Sequence, residues 1–263
     1  MRVICPDGIL KYDASLDIRK TMSCGQAFRW TEDGDAVIIT AGCGLHEREI
    51  TVCQQGGDME VSAGTEDFLA CWQDYFDLLT DYGLLRGFAE EDEFFAGCLE
   101  YGEGIRVLKQ DLWETLITFI LSQRSNIPRI RGCVSSLAGI FGHFPTPGEI
   151  ALSDRLQEVR CGYRTPYLKA AAAFKNLSVL RNMNYAEAKE ALKQIKGVGD
   201  KVADCVILFG LHNRGAFPVD VWIERIIGKI YSGSLNFSKY GNLSGIVQQY
   251  MYFYAIGNKH LFS

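Results

Sequence analysis

At 263 residues with 48% hydrophobic side chains, the chain holds one large domain or two ordinary ones around a real core. No apolar run reaches the about 18 residues of a membrane helix. The net charge of −5 excludes a uniformly basic protein but conceals a split: residues 1–105 carry 7 Lys+Arg against 21 Asp+Glu, and residues 106–263 carry 20 against 11.

Halves of net −14 and +9 suggest two modules, the second facing a polyanion, although solvated faces also differ by drift. Met1-Arg-Val-Ile-Cys-Pro-Asp-Gly8 has no signal-peptide apolar core, so a cytoplasmic protein is expected. The nine cysteines are scattered without a CxxC pair, which argues against zinc and for reduced thiols. None follows Cys205, which leaves no place for a C-terminal iron–sulfur loop.

Early elements are β-rich. Ala36–Ala41 and Glu49–Cys53 alternate as strands, Met59–Ser62 suggests a third, and Glu32-Asp-Gly-Asp35 and Gln55-Gly-Gly-Asp58 read as turns. Thr65–Trp72 resembles a capped helix. From about residue 88 the pattern turns helical. Apolar residues across Ile105–Ser122 suit one buried helix. Further helices are expected at Arg129–Phe141, Ser153–Arg160, Tyr167–Phe174, Tyr185–Ile195, Lys201–Gly210, Val221–Ile230 and Ser244–Tyr254. The class is α+β: an antiparallel-sheet domain with flanking helices over residues 1–105, then an all-helical domain over 106–263.

The segment Leu192–Val206 is the most informative. It reads as helix, tight turn, helix, with Gly197-Val198-Gly199 in the turn. Amides at a turn and a helix start lack intrahelical partners and, with the positive end of the dipole, suit an anion such as a DNA phosphate. The same glycines also suit a plain helical hairpin. Lys201 falls in the first turn of the second helix, where it opposes the dipole. That position favours a neutral amine able to attack an electrophilic carbon and form a Schiff base. From position alone, an exposed lysine making a salt bridge or a phosphate contact is the more common reading. Asp220, after Pro218-Val219, is a natural N-cap, and a capped carboxylate can also stabilise positive charge on a sugar.

Here the chain resembles the helix-hairpin-helix DNA glycosylases, and within them the bacterial type of 8-oxoguanine DNA glycosylase/lyase. Five stretches carry the resemblance in the family's order: Cys24-Gly-Gln-Ala-Phe-Arg-Trp30; Leu108–Leu116 running into Asn126-Ile-Pro-Arg129; Cys161-Gly-Tyr-Arg-Thr-Pro-Tyr167; Ile195–Cys205 with Pro218-Val-Asp220; and Val247–Tyr254. The resemblance implies Lys201 as the nucleophile at C1′ and Asp220 as stabiliser of the oxocarbenium charge. A Schiff base would then permit β-elimination and a nick. Gly25 would offer its carbonyl to the N7–H of the oxidised base, Gln248 would read the Watson–Crick edge, and Tyr252 and Cys205 would flank the flipped base. Tyr163 would wedge into the vacated stack, with Arg164 and Arg129 on the estranged cytosine. Gly197, Val198 and Gly199 would hold phosphate. The expected partner is double-stranded DNA containing 8-oxoguanine, bound by a monomer. No cofactor is expected beyond a possible structural monovalent cation at the hairpin.

Three departures stand out. The family's Asn-Asn-Asn is Arg124-Ser-Asn126, which puts strict preference for cytosine opposite the lesion in doubt. The histidine two residues past the catalytic aspartate of animal enzymes is Trp222, and the stacking phenylalanine is Tyr252. Two rivals remain: a related glycosylase for another damaged base, and a non-catalytic DNA-binding module that needs neither Lys201 nor Asp220.

Overall fold

Apolar residues alternate along the early strands, so each strand buries one face and the strands assemble into a single sheet. In the computed structural model, which describes residues 1–43, 46–175 and 177–262, there are six strands. They are β1 (Arg2–Cys5), β2 (Gly8–Lys11), β3 (Trp30–Asp33), β4 (Ala36–Cys43), β5 (His46–Gln55) and β6 (Asp58–Val61). Their spatial order is β2-β1-β6-β5-β4-β3. Val37, Ile39 and Ala41 of β4, and Ile50 and Val52 of β5, are buried at every second position. The antiparallel sheet expected from sequence is mixed. β1 pairs antiparallel with β2 but parallel with β6, Val3 standing opposite Met59. A parallel pair needs a long connection, and the chain between residues 5 and 58 supplies it.

The helices are α1 (Ile18–Ser23), α2 (Thr65–Asp67), α3 (Gln73–Tyr75), α4 (Leu85–Glu91), α5 (Glu93–Tyr101), α6 (Leu112–Ser122), α7 (Ile127–Phe141), α8 (Pro147–Leu152), α9 (Thr165–Ala172), α10 (Tyr185–Lys193), α11 (Asp200–Cys205), α12 (Val221–Ile230), α13 (Ser244–Gly257) and α14 (Lys259–Phe262). A π-helical turn, Phe68–Trp72, joins α2 to α3, and a second, Val206–Gly210, continues α11.

The buried helix expected over Ile105–Ser122 starts only at Leu112, where Asp111 caps it by accepting from Glu114 N at 2.8 Å. Residues 105–109 form neither helix nor strand, although Ile105, Val107 and Leu108 are fully buried. Side chains satisfy that backbone instead of a helix ladder. Thr21 Oγ1 accepts from Arg106 N, Tyr82 Oη from Val107 N, and Gln26 Oε1 from Leu108 N.

Contacts divide the chain into two compact units: residues 1–39, 49–109 and 214–263 in one, residues 40–48 and 110–213 in the other. This differs from the expected division at 105/106 chiefly in assigning 214–263 to the first unit. Helical periodicity reports that a face is buried but not against which partner. Here α13 packs on α5, and Tyr250 Oη donates to Ile105 O at 3.0 Å.

Seven cysteines are free, but Cys43 and Cys71 are disulfide-bonded, which corrects the expectation of thiols throughout. Sequence spacing does not tell which sulfurs a fold brings within bonding reach.

Candidate active site

In the first unit, one loop and one helix meet. Gly25 follows α1 in the left-handed region, φ +78°, and a Cβ there would stand 3.1 Å from the Tyr252 ring. Only glycine combines that backbone with so close an aromatic neighbour. Tyr252 lies on α13 one turn beyond Gln248, on the same helix face. Gln248 is 4% exposed, and its Oε1 is buried with no hydrogen-bond partner. Leaving such an oxygen unpaired costs about 1–3 kcal/mol, which a donor on a bound ligand would recover. Burial pushes the Cys24 thiol up to about 12, so it is an inert neighbour of Gly25 rather than a nucleophile.

Asp220, also in the first unit, is the N-cap of α12. Its Oδ1 accepts from Trp222 N and Ile223 N, both at 3.0 Å. Two charge-assisted bonds hold the carboxylate in one orientation at the positive end of the helix.

The second unit holds the hairpin. Ion pairs from Lys193 (3.2 Å) and Lys189 (3.6 Å) to Asp200 join α10 to the start of α11. Inside, Asp204 accepts from Tyr185 Oη at 2.7 Å and pairs with Lys189 Nζ at 2.9 Å. Burial pushes the Asp204 carboxyl up, against the lowering from Tyr185 and Lys189. Lys201, half-buried, lies with its Nζ 5.0 Å from the centre of the Phe119 ring. Phe119 stacks on Phe209 with centroids 5.4 Å apart and planes within 9°. The π turn that follows α11 carries Phe209, so the irregular turn provides an apolar floor beneath the lysine. Cys205 is buried one turn after Lys201.

The three residues of the turn differ in what they leave open. A Cβ at Gly197, φ +93°, would run into the ring of Tyr167, so its close approach is to the protein itself. The Val198 amide is not bare, because it donates to Ile195 O at 2.9 Å. Gly199 is open, and α11 begins behind it with no side-chain cap. That uncapped start is where an external acceptor fits.

Among the residues expected to face the opposite strand, Tyr163 is 51% exposed on a short turn, and its hydroxyl donates to Gln123 O at 3.3 Å. Arg129 is exposed in the first turn of α7, which Asn126 caps. Arg124 is exposed with φ +46°, a left-handed backbone that asparagine adopts more readily than arginine. Arg164 is placed otherwise than expected. It is 3% exposed, and its guanidinium donates to the carbonyls of Gln123, Arg124 and Cys161. The carbonyls that follow the end of α6 lack helical donors and lie at the negative end of the dipole, which is where a buried guanidinium is favourable.

Sequence reading missed Phe119, Asp204 and Gln249. The only trace of the last was a second glutamine beside Gln248 in an otherwise apolar helix.

The family model for the 8-oxoguanine DNA glycosylase N-terminal domain matches residues 9–116. The N-glycosylase/DNA lyase of Saccharomyces cerevisiae is 32% identical, with 85% of this chain and 70% of that protein covered. The fold matches MBOgg1, solved with a low-affinity DNA ligand, at a TM-score of 0.87 with 34% identity and 95% of each chain covered. It matches equally, TM-score 0.87 and 29% identity over 98% of each chain, the Clostridium acetobutylicum 8-oxoguanine glycosylase/lyase, solved with double-stranded DNA carrying cytosine opposite 8-oxoG. With its hairpin lysine, its capped aspartate and its glycine loop against α13 all present, the chain belongs to the 8-oxoguanine DNA glycosylase/lyase family.

Proposed function

We propose that this protein removes 8-oxoguanine from duplex DNA and then nicks the strand at the resulting site. The observation that carries the reading is the buried, unpartnered Oε1 of Gln248, one helical turn from the aromatic ring that abuts Gly25. A purine flipped from the stack offers N1–H and N2–H donors to such an oxygen. The oxidised base also carries an N7–H for the Gly25 carbonyl. Ordinary guanine has an acceptor there and would leave two lone pairs facing each other. Tyr252 offers its ring to one face of the base.

In this mechanism the amine of Lys201 donates its electron pair to C1′ while the C1′–N9 bond breaks and its electrons leave with the base. Asp220 stabilises the positive charge that develops on the sugar. The amine loses a proton, the sugar ring opens, and a Schiff base remains on Lys201. Loss of a C2′ proton then expels the 3′ phosphate. The uncapped start of α11 holds a phosphate, and Arg124, Arg129 and Tyr163 face the opposite strand and the gap. A monovalent cation at the hairpin carbonyls belongs to the same proposal. No cluster of acidic, histidine or cysteine side chains able to hold a metal ion occurs among the described residues. No helix among them is long and apolar enough to cross a membrane. A chromosomal substrate points to the bacterial cytoplasm and nucleoid.

Borohydride trapping tests the reading. A duplex with 8-oxoguanine opposite cytosine should yield a covalent protein–DNA adduct, and Lys201→Gln should yield none. An adduct formed by the Lys201→Gln protein would remove Lys201 from the mechanism. Excision of alkylated purines or oxidised pyrimidines without any of 8-oxoguanine would remove the proposed substrate.

A further inference from the structure

Gln249 follows the unpartnered Gln248 on α13, but its amide has a different partner. It is 2% exposed, and its Nε2 donates to the carbonyl oxygen of Cys24 at 2.7 Å. That oxygen and the nitrogen of Gly25 belong to one planar peptide, so holding the oxygen holds the plane that enters Gly25. On the other side of Gly25 the side chain of the next residue is anchored as well. Gln26, fully buried, donates to Arg106 O at 2.7 Å and to Thr21 O at 3.1 Å, and accepts from Leu108 N at 2.8 Å. Gly25 itself, at φ +78°, has no Cβ to prefer one backbone setting over another. The direction of its carbonyl is therefore set by neighbours, and Gln249 is the neighbour that α13 contributes. The same helix thus supplies the base-reading oxygen of Gln248, the ring of Tyr252 and the clamp on the glycine loop.

We propose that Gln249 is a positioning residue for base selectivity: it aims the Gly25 carbonyl, and through it the discrimination between 8-oxoguanine and guanine. The inference rests on the functional reading above. A purely structural tie between α13 and the loop predicts a different outcome, because a general loosening would impair every activity together. Cleavage at a preformed abasic site needs no base recognition and separates the two.

Two substitutions serve the test. Gln249→Met keeps the length and removes the donor, and Gln249→Glu keeps the shape and turns a carboxylate toward Cys24 O. In a Lys201→Gln background, which leaves DNA intact, affinity is measured for duplexes that differ only in 8-oxoguanine or guanine at one position. Each substitution should lower the affinity ratio on the order of tenfold, the loss of one well-aimed hydrogen bond at a dry site. With Lys201 present, abasic-site cleavage by both variants should match that of the unsubstituted protein. An unchanged affinity ratio overturns the inference. So does a loss of abasic-site cleavage in step with the loss of selectivity. If the unsubstituted protein cleaves abasic sites but leaves 8-oxoguanine in place, the functional reading itself fails and takes this inference with it.

Discussion

At the scale of the residue, Asp220 combines two duties that can be separated. Its Oδ1 caps α12 through two amides, and in the proposed mechanism its charge stabilises the sugar. Asparagine caps a helix about as well as aspartate but carries no charge. Asp220→Asn should therefore leave the melting temperature nearly unchanged while base excision falls about 100-fold or more, the usual cost of removing one preorganised electrostatic group. Asp220→Ala should lose the cap as well, about 1 kcal/mol, or about 2–4 °C in Tm. Thermal melts and single-turnover excision on the two variants check the separation, and equal melting losses in both would show that the charge itself holds the helix. Asp220 and Lys201 were legible in sequence because both sit at helix starts, where short-range rules operate. Arg164 was not, because what surrounds a guanidinium depends on carbonyls forty residues away in sequence, those of Gln123 and Arg124.

Elements with a strong local signal matched their expected limits. The helix expected at Val221–Ile230 is α12 residue for residue, started by its aspartate cap. α8 went unread, although Thr146 and Glu149 form a complete capping box. Hydrogen bonds from the Thr146 backbone and side chain, with a further bond from His143, lower the Glu149 carboxyl to about 2 from its ordinary 4.5. A carboxyl depressed in the folded state adds stability that is fully present above pH 4.5 and is lost as pH falls through about 2. Glutamine serves the same position in a capping box without titrating. The melting temperature of Glu149→Gln should thus vary less with pH than that of the unsubstituted protein across this window, and parallel curves would contradict the assignment. Misreadings came where local pattern and packing disagree. Residues 105–109 carry helix-like apolar spacing but form no helix, their amides being taken by Thr21, Gln26 and Tyr82. The π turn after Cys205 has no signature in residue type, because one extra residue per turn is a response to packing.

Over the whole molecule the charge asymmetry survives the redrawn boundaries in weaker form. The unit of residues 40–48 and 110–213 carries net +4, and the other unit net −9. A modest positive unit binding a phosphate backbone should show counterion release. Affinity for the lesion duplex should fall steeply as salt rises from about 50 to 200 mM, with a log–log slope of about −0.9 per phosphate neutralised. Titrations at several salt concentrations measure the slope, and a flat response would exclude phosphate contacts by this unit. The expected two-domain organisation followed composition, which cannot see that residues 214–263 return to the first unit. Asp220, Gln248 and Tyr252 consequently share a unit with Gly25, while Lys201 and Cys205 belong to the other.

The amino-acid sequence by itself determined what depends on neighbours a few residues apart: the α+β class, most helices, the hairpin turn, the capped aspartate and the family. Tertiary structure alone decided the parallel pairing of β1 with β6, the buried bed of Arg164, the aromatic floor under Lys201, and the hold of Gln249 on the Gly25 loop. Those depend on groups from 40 to more than 200 residues apart, and which of them meet is settled by chain closure and packing, which no local pattern encodes.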